Sequence, residues 1–254
     1  MRKSFFYLVL GLGLIFLGTG LAQETQIEKA KIFQEDYPLI VESDLYCSIY
    51  ILDVALPGIK IIGAERQEEK ILLQDGDKFY IGRGKADGLE IGQVFLVIGV
   101  GPKIMDYGNL TSRTGRARII GLEENRGTVR IDKTCGQVLL GNDLIPFEEK
   151  EAVLGKDEGY AQELDENQGT MGSLIYIDTE LHIAGTGQWA IIDMGIDKGV
   201  HVGQQMTIFK RVKQGVPRES IGNLVVIDVQ KRTSTVKILS CRDSVEVGFQ
   251  VQTR

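Results

Sequence analysis

The chain is short of the residues on which most enzyme chemistry depends. It has two histidines, His182 and His201, one tryptophan, Trp189, five prolines and three cysteines in 254 residues. Each histidine is bracketed by apolar residues, in LHIAG and GVHVG, and neither has a carboxylate or cysteine at a usual ligand spacing, so no metal site is expected. Cys47, Cys135 and Cys241 allow one intramolecular disulfide at most and leave one thiol over, which excludes a disulfide framework as the basis of the fold. Aromatics are 7% of the chain, and most sit inside strand-like patterns, which weighs against a stacking groove for sugars. After Leu17 no apolar run approaches the ~20 residues a membrane helix needs. A basic excess is missing too. The formal net charge is −6, which argues against binding that rests on neutralising nucleic-acid phosphates or an anionic lipid surface.

The strings that look chemical do not hold together as sites. Ser234 and Lys237 form an S-x-x-K, but in a strand-like run positions three apart point to opposite faces. Gly82 to Lys85 (GRGK) and Gly99 to Lys103 (GVGPK) lack both the full phosphate-loop spacing and a following helix. The acidic cluster Asp157, Glu158, Glu163, Asp165 and Glu166 lacks the alternation and turn glycine of a calcium loop. No catalytic residue, cofactor or metal is therefore assigned, and the chain reads as a non-enzyme.

Glycine, by contrast, is plentiful at 31 residues, and its spacing exposes a duplication. Gly76, Gly84, Gly88 and Gly92 recur as Gly187, Gly195, Gly199 and Gly203, offset by 111. Gly115, Thr128 and Gly141 recur as Gly222, Thr235 and Gly248, offset by 107. The change of four falls in one hairpin tip, where the first copy has the longer loop, and exposed tips tolerate added length. Gly84, Gly88, Gly92, Gly195, Gly199 and Gly203 are read as structural turn glycines, needed for positive φ or close backbone approach. The segments between them (IIDM, MTIF, LVVIDV, TVKIL) are rich in Val, Ile, Thr and Phe at strand length. The expected fold is all-β, with two tandem small antiparallel β-barrel or sandwich modules. Cys135 and Cys241 fall near equivalent points of the copies, which predicts a small core residue in each; a bridge between them requires the modules to meet at that face.

Residues 1–22 read as a signal peptide. Arg2 and Lys3 precede a 13-residue apolar run, Phe5 to Leu17, and small residues precede a cut between Ala22 and Gln23. The expected location is therefore periplasmic or secreted. Removal of Arg2 and Lys3 leaves 27 basic against 35 acidic residues. Residues 23–36 form a polar arm, 37–147 the first module, 148–171 an acidic linker and 172–254 the second module.

Gly195, Gly199, Val202 and Gly203, the strand Met206 to Phe209, Ile221 with Gly222, Thr235 to Ile238, and Val247 with Gly248 form a pattern. It resembles the C-terminal domain of the flagellar assembly protein T group, and is similar to the β-rich region following LysM in Gram-negative wall-associated proteins. The resemblance implies a periplasmic small-barrel module engaged in envelope assembly or wall association. It assigns no binding residue. The expected partner is thus an envelope protein, with peptidoglycan or another glycan as the alternative, and a hydrolase with an unrecognised carboxylate site as a third reading. The loop Gly101 to Arg113, carrying Met105, Tyr107 and Asn109, is the candidate partner contact, because recognition usually resides on loops held by a rigid scaffold.

Overall fold

A computed structural model describes residues 37–65, 72–161, 169–179, 183–210 and 218–254. Residues 1–22 and 23–36, read from sequence as a signal peptide and a polar arm, lie outside the described residues, as do His182, Glu163, Asp165 and Glu166. The first barrel is built from β3 (Ile59–Ala64), β4 (Lys78–Ile81), β5 (Val94–Ile104), β6 (Gly108–Leu122), β7 (Gly127–Thr134) and β8 (Asp143–Pro146). They pair antiparallel in the cyclic order β3-β4-β7-β6-β5-β8, closed by β6 on β7 and β8 on β3. Three strands lie outside it: β1 (Tyr37–Ile40), β2 (Ile49–Leu52), which pairs with the start of β6, and β9 (Val153–Gly155), which pairs with β1; a short helix, α1 (Glu42–Cys47), stands between β1 and β2. The second barrel follows with β10 (Met171–Ile177), β11 (Ile183–Ala184), β12 (Trp189–Ile192), β13 (Gln205–Lys210), β14 (Glu219–Val229), β15 (Ser234–Cys241), β16 (Val245–Glu246) and β17 (Gln250–Thr253). Its closed order is β10-β12-β15-β14-β13-β17, the same circuit strand for strand, and β11 pairs with β16 beside it.

The repeated glycines make the same turn twice. Gly88 and Gly199 end single 3-10 turns at φ 78° and 75°, in the left-handed region that a Cβ disfavours. Gly84 and Gly195 have ordinary φ but are packed under carbonyls; a Cβ on Gly84 would lie 2.4 Å from the oxygens of Glu123 and Glu124, and one on Gly195 2.4 Å from that of Lys231. Each turn is thereby stapled to the β6–β7 or β14–β15 hairpin opposite.

The barrels are filled by alternate residues of each strand. Phe79, Phe95, Val97, Ile119 and Val129 fill the first, and Ile192, Met206, Leu224, Val226 and Val236 the second. The outer faces differ, although the positions correspond. On β6, Arg118 and Ile120 point outward between Ala117 and Ile119. Their counterparts on β14, Val225 and Ile227, are fully buried. The reason is the segment from β1 to β2, inserted between the barrels. Leu39, Ile40, Leu45 and Tyr46 cluster with Leu96 and Ile98 of the first barrel and Val225 and Ile227 of the second. Ile49 and Ile51 cluster with Leu110, Ile175 and Ile191. Each fully buried aliphatic side chain contributes roughly 1.5–3 kcal/mol, so this wedge joins the barrels through a core of its own.

The connector reads from sequence as a solvated acidic linker, and its described part is fixed instead. Beyond β9, the Gln205 side-chain amide donates to the Lys156 carbonyl at 2.7 Å and accepts from the Glu158 N–H at 3.1 Å. Asn223 donates to Asp157 at 2.6 Å, and Arg254 pairs with Glu158 at 3.0 Å. Asp157 and Glu158 thus engage the second barrel.

The cysteines correct one expectation. Cys47 of α1 is bridged to Cys135, with Cα atoms 5.2 Å apart, and Cys241 is free. By the 107-residue offset Cys241 corresponds to Thr134, not Cys135. A slip of one residue along a strand moves a side chain to the other face. Cys135 therefore meets the wedge, while Cys241 packs against the second core, as a small core residue should.

Candidate interaction site

Two arrangements stand out, both at the junction of the barrels. The first is a buried polar group. The Arg113 guanidinium, on β6, pairs with the Asp228 carboxylate of β14 and donates to the Ser48 carbonyl at 3.1 Å and to its hydroxyl at 3.0 Å. Lys150 reaches the other Asp228 oxygen at 2.9 Å. The Arg113 guanidinium also lies 4.3 Å from the centre of the Tyr50 ring. Burial pushes the Asp228 carboxyl up, but Arg113 and Lys150 more than offset it and hold its pKa below the ordinary carboxylate value. Burial raises the Tyr50 phenol; Arg113 lowers it in part and Asp228 adds to the rise.

Nearby, Asp44 of α1 is almost fully buried and accepts from three donors. They are Lys237 at 2.7 Å, the Trp189 indole at 2.9 Å and the Val41 N–H at 3.0 Å. Thr235 donates to the Ile49 carbonyl at 2.6 Å. The contacts of Lys237, Trp189 and Thr235 cross from the wedge to the second barrel. A buried charge needs this degree of pairing, since an unpaired one is strongly destabilising.

The second arrangement is the β5–β6 hairpin. Residues 99–104 of β5 extend past the end of β8, so the hairpin and β2 form a three-stranded projection. Pro102 and Lys103 lie on its free edge, where a proline leaves no ladder bond unmade and a lysine opposes edge-to-edge pairing. The tip leans on the second barrel. Tyr107 packs against the cluster that includes Ile175 and Ile191, Arg232 lies 5.1 Å from the centre of its ring, and Arg232 pairs with Asp106 at 3.0 Å. Asn109 donates to the Gly101 carbonyl at 3.3 Å. Of the three candidate contact residues, Tyr107 and Asn109 thus serve the chain's own structure, and Met105 faces outward. Met105 is 62% exposed, and Val54 and Val100 on the same projection are 68% and 41% exposed. Among the described residues Met105 is the one non-glycine with positive φ, at 45°. Backbone held in a sparsely populated region clusters at functional sites.

The chemical-looking strings are absorbed by structure. Ser234 points inward and donates to the Met194 carbonyl at 2.6 Å, whereas Lys237 points out to Asp44. The amides of Lys85 and Ala86 in and after the GRGK string already donate to the carbonyls of Glu123 and Glu124, so neither is turned outward to cradle a phosphate. His201 is exposed, and among the described residues no group of three or more His, Cys, Asp or Glu is placed to hold a metal. No helix among the described residues is long and apolar enough to cross a membrane.

Sequence reasoning found the hairpin and missed the junction. The signal for the junction was present: LVVI at 224–227 is a continuous apolar run, where ARII at 117–120 alternates at its start, and strands buried on both faces read as continuous runs. No protein-family model matches the chain, and no curated protein matches it either.

Proposed function

We propose that the chain is a non-enzymatic exported protein of the cell envelope whose two barrels act as an assembly scaffold for a protein partner. The reading draws on the signal-like N-terminus, on the resemblance to the flagellar assembly protein T group, and above all on one observation. An outward apolar tip, Met105 with Val54 and Val100, is carried on a strand projection braced against a second barrel. Bracing lowers the conformational entropy that a contact loop loses on binding.

Peptidoglycan binding is supported less well, because it needs open aromatic faces. Trp189 is held by Asp44, Arg126 lies over Tyr80 and Arg232 over Tyr107. Among the described aromatics Tyr37 alone is strongly exposed. The purified chain should remain in the supernatant when sedimented with sacculi.

A photo-reactive residue at position 105 should cross-link a defined envelope protein in cells, and the same residue at the equally exposed position 196 should not. With the photo-reactive residue kept at position 105, Val54→Ser with Val100→Ser should strongly reduce the product while leaving the thermal midpoint unchanged. Equal products from both positions, or an undiminished product from the double variant, would contradict the scaffold reading.

A further inference from the structure

The outer face of the first barrel carries an arrangement that its own sequence neighbourhood does not explain. Lys78 of β4 lies directly opposite Arg130 of β7, and Arg130 directly opposite Arg118 of β6. Three cations stand side by side across three strands. Like charges in directly opposed positions destabilise a sheet. Their side chains are 44%, 49% and 43% exposed. Two carboxylates answer them: Asp132 lies 3.2 Å from Arg118 and 3.7 Å from Arg130, and Glu65 lies 3.5 Å from Lys78. In a chain of net charge −6 this face is locally positive. Beside the row on the same sheet stand Tyr80, Ile120 and Ile62, the last 59% exposed.

The duplication shows what such a row can do. By the two offsets, Lys78, Arg130 and Arg118 correspond to Trp189, Lys237 and Val225, and those three also lie opposite one another in the same register. In the second barrel that row is occupied. The Asp44 carboxylate sits on it, bonded to Lys237 and the Trp189 indole, with α1 and β2 covering the adjoining apolar positions. Tyr80 and Ile120 correspond to Ile191 and Ile227, which lie under that segment. Thus the second barrel docks an acidic helix followed by an apolar strand, and the first barrel presents the same face, richer in cations and uncovered among the described residues.

We propose that the face centred on Lys78, Arg130 and Arg118 is a docking site for an acidic polypeptide segment with adjoining apolar residues, supplied by a partner protein. The inference rests on the scaffold reading only in treating a barrel face as a contact surface, and it concerns a face away from the Met105 tip. Failure here would leave the tip's cross-link standing. A carboxylate-bearing peptide fits better than a phosphate or sulfate polymer because the equivalent row binds a carboxylate, and because apolar positions border the cations.

The test is fluorescence anisotropy with the full chain and a labelled peptide reproducing residues 41–52 with Cys47→Ser. A second peptide also carries Glu42→Gln and Asp44→Asn, and a heparin hexasaccharide serves as competitor. The acidic peptide should bind saturably below ~1 mM, and weaken with added salt. The neutral peptide should bind at least about tenfold more weakly, the step expected for loss of about 1.4 kcal/mol. Arg130→Gln should lower affinity by a similar factor while its thermal midpoint stays level or rises, since it removes an opposed like charge. A merely structural role for Arg130 would not produce that pairing of effects. Equal binding of both peptides, undiminished binding to Arg130→Gln, no saturation by ~1 mM, or displacement by the hexasaccharide at lower concentration than by unlabelled peptide would each overturn the proposal.

Discussion

Asp228 carries the steepest single-residue dependence in the junction. Its side chain and that of Arg113 are 11% and 5% exposed, so removing the carboxylate leaves a buried guanidinium without its counter-ion. Asp228→Asn should cost about 3–5 kcal/mol at neutral pH, read from urea unfolding. The pH dependence follows from the sign of the shift. The folded carboxyl sits below its ordinary value, so its stabilisation is complete above the unfolded pKa, about 3.9, and is lost as pH falls through the folded value. The gap between parent and Asp228→Asn should hold from neutral down to about pH 4 and narrow below it. A gap that widened in acid would reverse the assignment. Gly195 makes a second residue-scale test. Gly195→Ala should cost about 1–3 kcal/mol, because its new methyl meets the Lys231 carbonyl, whereas Gly185→Ala, with no atom nearer than 4.0 Å, should be close to neutral. Gly195 was legible in the sequence as one of the paired turn glycines. The Arg113–Asp228 pair was not, because its members lie 115 positions apart and their counterparts in the other copy are Ser220 and Gly121.

At the scale of elements, the wedge is the part that departs most from a simple tandem repeat. YPLIVESDLYCSIYI reads as one or two strands, and it forms a strand, a helix and a strand. Local pattern could not reveal this, since the helix is six residues long, too short to be stable alone, and is held by tertiary contacts and by Cys47–Cys135. That bridge spans 88 positions and ties the wedge to the first barrel. By loop-closure entropy, its loss in Cys47→Ser with Cys135→Ser should cost about 4 kcal/mol. Cys241→Ser should change little by comparison. A double variant as stable as the parent would show that the wedge is held by its apolar contacts alone. The strands themselves were legible because apolar residues alternate at period two between turn glycines. The hairpin tip was legible as a longer loop, but which of its side chains turn outward depends on the second barrel beneath Tyr107.

On the scale of the whole molecule, the two copies keep one circuit and have diverged on their outer faces. The first barrel retains charged outer positions where solvent meets them, and the second has exchanged them for Trp189, Val225 and Leu239 where the wedge covers them. That asymmetry makes the pair one body rather than two modules on a tether, and it is what allows the hairpin tip of one barrel to be braced by the other. Trp189 is the chain's single tryptophan and lies in the junction, so its fluorescence reports the junction while far-UV circular dichroism reports both barrels. Equilibrium urea unfolding followed by both signals tests the account most directly. Coincident single transitions are predicted, with the fluorescence midpoint equal to that of the dichroism. A fluorescence change completed before the strands unfold would mean that the barrels part while each stays folded, and would contradict the fused scaffold.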